Sequence, residues 1–126
     1  MDPILVRGLP SERFGVFDVT QVTRGTALEH VVAVDLVTVE PDQKSEVHRH
    51  NRAETVLFIL DGSGVVLVGE AEVAVSKGMR VLIGKGVFHG VRTAGDPLTF
   101  LSVQSPPILD RTQDRLDLEP QESGES

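Results

Sequence analysis

The stretch HRHNRAETVLFILDG, residues 48–62, sets two histidines one residue apart, follows them with Glu54 and Thr55, and runs through an apolar segment to Gly62. Strand geometry sends residues i and i+2 to one face. On a strand His48 and His50 therefore point together, while Val47, Arg49 and Asn51 point away. Two imidazoles at that spacing can share one ion. A bare pair of this kind is commonly no more than two surface or hydrogen-bonded histidines, so its meaning rests on the rest of the chain.

Working outward, the segment from Leu28 to Gln104 is a series of short runs rich in Val, Leu and Ile: ALEHVVAVDLVTVE, TVLFILDG, GVVLVGE, EVAVSKG, MRVLIGKG, VFHGVRT and LTFLSVQ. Gly, Asp, Lys or Pro breaks them every six to ten residues, which predicts an all-β domain of antiparallel strands with little room for helices. Several runs are apolar on both faces. A sandwich or barrel with a packed interior and a covered outer face can hide them, the cover coming from N-terminal strands or a second subunit. DGSG at 61–64 and VGEAE at 68–72 read as hairpin turns, and Lys77-Gly78 and Lys85-Gly86 as two further reversals.

At 126 residues the chain suits one domain with a proper core, expected over residues 1–109. It has no cysteine, which removes disulfides, zinc-thiolate sites and thiol nucleophiles together. Any metal must then sit on His or oxygen ligands. The start, MDPILVRGLP, carries an acidic residue and two prolines where a secretion signal carries lysines and a long apolar run. No segment reaches the length of a membrane helix, so no membrane partner and a cytoplasmic location are expected. The net charge of -7 speaks against nucleic acid. Residues 110–126 hold six acidic and two basic side chains and supply -4 of that charge. Two prolines precede this segment, and its few apolar residues predict a short, flexible, mostly disordered acidic tail in which Leu109, Leu116 and Leu118 dock at most one short helix.

His89, in GVFHGV, joins the pair at 48 and 50 if the fold brings its strand alongside. The spacing of these histidines resembles the cupin superfamily, whose first motif reads G-x5-H-x-H-x(3,4)-E-x6-G and whose second reads G-x5-P-x-G-x2-H-x3-N. His48, His50 and Gly62 fit the first, Gly78, Gly86 and His89 fit the second, and residues 63–77 separate them. Asp42, Gly84 and Thr93 stand where the motifs have glycine, proline and asparagine. The resemblance covers residues 28–107, with the motif core at 41–107. It implies a double-stranded β-helix, a jelly-roll-like barrel with one divalent metal inside, and substrates that are small and often chelate the metal through an oxygen-donor pair.

The family's glutamate falls at Glu54 counting from His50 and at Thr55 counting back from Gly62, and only a bulge lets both counts hold. On a regular strand Thr55, Leu57 and Ile59 line the barrel while Glu54, Val56, Phe58 and Leu60 face out. The ligands are then His48, His50 and His89, a set that suits Fe, Ni, Zn or Cu. With a bulge Glu54 joins them and Mn becomes favourable as well. The three-histidine reading is preferred, with Thr55 orienting water or a histidine from behind. Gln104 and Phe100 are candidates for the pocket lining, Phe88 for core or pocket wall, and His30 for an exposed or satisfied histidine. There is no G-x-S-x-G elbow, phosphate loop or H-E-x-x-H. The expected function is a metal-dependent enzyme on a small substrate. Dioxygenase chemistry is favoured over a redox-neutral isomerase, decarboxylase or cyclase, and a non-catalytic binding module is the remaining class. The apolar stripe of Val56, Phe58 and Leu60 predicts a homodimer.

Overall fold

Alternating buried and exposed side chains organise the chain into strands, named in order β1 (Glu12–Phe14), β2 (Phe17–Gln21), β3 (Ala33–Val39), β4 (His48–Arg49), β5 (Glu54–Val68), β6 (Ala71–Ser76), β7 (Arg80–Ile83), β8 (His89–Arg92), β9 (Leu98–Ser105), β10 (Leu109–Asp110), β11 (Arg115–Leu116) and β12 (Glu119–Pro120). The computed structural model describes residues 9–110 and 115–122, and no helix occurs among them. None is therefore long and apolar enough to cross a membrane. Every strand pairing is antiparallel, and the sheet curls in the manner of a double-stranded β-helix.

β5 carries the curl. Its first part, from Glu54 to Gly62, pairs with β7 and β9, and its second part, from Ser63 to Val68, pairs with β6 and β8. DGSG is therefore no hairpin. It lies within one fifteen-residue strand, at the point where the chain passes from one half of the barrel to the other. A register shift between Ile59 and Asp61 bulges Leu60 and sharpens the bend. Gly62 has φ +80°, and a Cβ there would collide with the Pro97 carbonyl oxygen, so turn chemistry serves a kink in this case. The reversals at Gly69, Gly78 and Gly86 occur as expected.

The inward face of β3, β9 and β5 forms four rungs. Val39, Leu98 and Gly62 pair in the lowest, and Val37, Phe100 and Ile59 in the next. These apolar residues are buried with Val66, Val75, Val81, Ile83 and Val91, closing one end of the barrel. Above them lie Asp35, Ser102 and Leu57, then Ala33, Gln104 and Thr55. The barrel thus changes from apolar to polar along its axis.

The departures from the sequence motifs are local. Asp42 takes the left-handed conformation at φ 58°, which Asp tolerates better than most side chains. Thr93 accepts from the Gln43 amide and donates to the Glu40 carbonyl, tying the same loop to the end of β8. The acidic tail is where composition misleads most. Residues 115–122 form no helix: Leu109 pairs with Leu116 across β10 and β11, and β12 pairs with β4 along the histidine strand. The expected disorder at residues 111–114 and 123–126 falls outside the described residues.

Candidate metal centre

β4 and β8 run side by side with His48 directly opposite His89. His50 follows two residues after His48 and turns to the same side. The three ring centroids lie 4.7–5.0 Å apart, and one ligand atom from each ring lies within 4.8 Å of the others. Gly90 permits the close approach of the loop before β4, since a Cβ would sit 3.2 Å from both Ser45 Oγ and Val47 Cγ2. Ser45 Oγ in turn accepts from the Val91 amide at 2.8 Å and donates to the Glu46 carbonyl.

Each imidazole is anchored to the backbone. His89 Nδ1 donates to the Val87 carbonyl at 2.9 Å, and His50 Nδ1 donates to the Asp117 carbonyl at 2.6 Å. His48 is hydrogen-bonded to the backbone of Glu46. A carbonyl can only accept, so in His50 and His89 the proton sits on Nδ1 and the Nε2 lone pair is free. Burial, reinforced by the neighbouring rings, pushes His48 down to about 4, and burial likewise lowers His89. Both rings are neutral at pH 7. Three oriented imidazoles, two of them buried and one half-buried, are a donor set that fits a divalent transition ion better than a hard oxygen-seeking one.

Glu54 is not part of this set. It is exposed, and its Oε2 accepts from the Lys85 amide at 2.9 Å. The register of β5 against β7 and β9 is regular from Glu54 to Ile59, so strand parity turns Glu54 outward and buries Thr55, Leu57 and Ile59. The count from Gly62 is the right one. Phe88 is also outside the pocket, where the Arg49 guanidinium stacks 4.8 Å from its ring centroid. His30 is exposed and stands apart from the three ligands.

The histidines open on a cavity of about 490 Å³. Thr55, Phe100 and Gln104 line it, together with Leu57, Ser102 and a residue the sequence reading did not single out, Asp35. Burial pushes the Asp35 carboxyl up to about 6. Among the described residues nothing pairs with it. Its signal was available, because Asp35 shares strand parity with the buried Val37 and Val39. Gln104 Nε2 donates to Ser102 Oγ at 3.2 Å, while Gln104 Oε1 and Thr55 Oγ1 are buried without a partner. Leu109, Leu116 and Leu118 also line it.

The tail also braces the site from behind. The Asp117 carboxylate accepts from the amides of Asn51, Arg52 and Ala53 at 2.8–3.1 Å. Burial would raise its pKa, but these three bonds and the nearby His50 outweigh that and hold it below the usual carboxylate range. Arg49 donates to Glu119 Oε2 through Nε and Nη2, and the Gln121 amide donates to the Val47 carbonyl.

The fold has counterparts among known structures. The TT1209 protein of Thermus thermophilus is 31% identical, with 71% of this chain and 83% of that one covered and a TM-score of 0.64. A predicted oxalate decarboxylase of Thermotoga maritima shares the fold at 19% identity, 82% and 100% coverage and a TM-score of 0.74. KdgF of a Halomonas species does so at 13% identity, 77% and 86% coverage and a TM-score of 0.68. The family model for the cupin domain matches residues 35–104, from the first polar rung of the cavity through both histidine strands to Gln104. By that match over more than half its length, the chain belongs to the cupin family.

Proposed function

We propose that this cupin is a metal-dependent enzyme that holds one divalent ion on His48, His50 and His89 and acts on a small oxygen-chelating substrate. The observation that carries the reading is the convergence of three backbone-anchored imidazoles on a cavity large enough for a small molecule. Such an ion supplies Lewis-acid polarisation of a substrate oxygen, or redox chemistry if it is iron. The chain supplies the remainder. Its apolar lower rungs exclude water, the backbone carbonyls fix the ring orientations, and no protein carboxylate offsets the charge of the ion among the ligands. An anionic chelating substrate is the natural complement.

Redox-neutral chemistry of the isomerase, decarboxylase or cyclase type is the reading supported by Asp35. It places a carboxyl that titrates near neutrality in the same cavity, able to hold or release a proton. The three-histidine ligand set without Glu54 favours the dioxygenase as the second reading. Elemental analysis of the purified protein, followed by turnover on chelating acids with Zn, Mn or Fe added back, separates them. Activity with zinc and no oxygen uptake supports the first, and oxygen uptake with iron alone supports the second. Substrate binding that survives His48→Ala, with no turnover under any metal, would leave a binding module in place of an enzyme.

The outer face of the barrel supports a homodimer. Val56 and Leu82 are cross-strand partners there beside Phe58 and Leu60, and Leu82 is 69% exposed. Sedimentation at micromolar concentration should show the dimer, and Leu82→Glu should shift it to monomer.

A further inference from the structure

We propose that the cavity wall formed by β3, β9 and β5 is a hydroxyl-binding subsite, in which Asp35, Gln104 and Thr55 receive the distal hydroxyl groups of a small polyhydroxy acid whose chelating end lies at the three histidines. The inference rests on the metal-site reading and deepens it by assigning the far half of the substrate.

The placement is set by register. Asp35 pairs with Ser102 and Ser102 with Leu57, and one rung above, Ala33 pairs with Gln104 and Gln104 with Thr55. Four polar side chains therefore occupy two adjacent rungs of one inward face, directly above the apolar rung of Val37, Phe100 and Ile59. Thr55 is 5% exposed and Gln104 8%, yet Thr55 Oγ1 and Gln104 Oε1 have no partner. Buried polar atoms are nearly always satisfied, and a pair left open on a cavity wall points to a ligand that completes them.

The chemistry of the open atoms selects the ligand. The Gln104 amide nitrogen is engaged on Ser102 Oγ, which leaves its oxygen as the unpaired acceptor. Asp35, once ionised, accepts hydrogen bonds and donates none. Thr55 can do either. Two acceptors and one adaptable hydroxyl call for a ligand rich in donors, which hydroxyl groups supply. A second carboxylate or a phosphate at this end would meet the charge of Asp35, and an alkyl tail would leave all three atoms unpaired.

Asp35 also bears the mark of a group kept for function. Its carboxyl titrates higher in the folded chain than in the unfolded one, so the folded state holds the proton more tightly. The cost to stability is absent below the ordinary carboxylate range, grows as pH rises and is complete above about pH 6. The other ionisable groups lining the cavity are Arg24, Glu29, Glu46 and the three histidines.

The test uses the full chain loaded with one equivalent of zinc and titrated by calorimetry with gluconate and with 2-hydroxyhexanoate, which share the chelating α-hydroxy acid and differ in the distal hydroxyls. Gluconate should bind at least about tenfold more tightly, the yield of one or two completed hydrogen bonds. Gln104→Leu and Asp35→Asn should each remove most of that preference while changing 2-hydroxyhexanoate binding by less than about twofold. Asp35→Asn should also raise the melting temperature, more at pH 8 than at pH 5. Equal affinities for the two acids in the zinc-loaded wild type, or a lower melting temperature for Asp35→Asn at pH 8, would overturn the subsite alone. Failure to take up zinc, or another divalent metal in its place, would overturn the subsite and the metal reading together.

Discussion

His89 Nδ1 donates to the carbonyl of Val87, two residues away, whereas His50 Nδ1 donates to the carbonyl of Asp117, sixty-seven residues away. The bond has the same kind of acceptor and the same effect on the tautomer in both cases. What differs is the structure that must be in place for it to form. The turn before β8 builds its own anchor as soon as it folds. The segment around His50 is clamped only when the tail lies along it, with Asp117 capping three amides and β12 pairing with β4. One side of the histidine cluster is local, and the other is assembled from segments far apart in the described chain.

The largest expected effect comes from removing a ligand on the local side. His89→Ala should abolish stoichiometric metal uptake, a loss of more than about a hundredfold in affinity, since even the groups behind metal ligands contribute ten- to a hundredfold. Calorimetric titration with zinc reads this directly. The comparison itself is tested by a chain ending at residue 114. If the tail positions His50, metal affinity should fall by about ten- to a hundredfold while His48 and His89 still hold the ion weakly. Unchanged affinity in the shortened chain would show that His50 needs no remote anchor.

Asp117→Ala sharpens the contrast, because it removes the cap and keeps the carbonyl that His50 uses. Leaving three partly exposed amides to water should cost about 1–2 kcal/mol of unfolding free energy. The Asp117 carboxyl is depressed in the folded chain, so its stabilisation is present above the ordinary carboxylate pKa of 3.8 and is lost as pH falls below it. Denaturant titrations of the two proteins should therefore differ at pH 7 and converge toward pH 3. Glu119→Gln should have the smallest effect. The Arg49 pair is solvent-exposed and screened by water, so stability should barely change and metal affinity not at all.

Much of the local side was legible in the sequence. The parity of His48 and His50, the spacing from Gly62 back to Thr55 and the alternation through Ile59 follow from strand geometry alone, and burial follows it residue by residue. That same alternation marks Asp35, although its run reads as apolar on both sides and hides the signal. Glu54 is ambiguous in sequence because two counts disagree by one residue, and the regular backbone from Glu54 to Ile59 decides between them. DGSG carries the composition of a hairpin. Its glycine instead relieves a clash with Pro97, thirty-five residues away in sequence, which no local signal records.

By itself the sequence determined an antiparallel β-domain and the common side from which His48 and His50 project, because side-chain direction on a strand depends only on position along it. The tertiary structure decided what those residues meet. It bent β5 through both halves of the barrel, set Asp35, Ser102 and Gln104 in one cavity with the imidazoles, and laid an acidic, apolar-poor tail against His50. Residues 115–122 are held there by hydrogen bonds to backbone groups around the histidine strand, and contacts between residues far apart in the chain leave no trace in the composition of either.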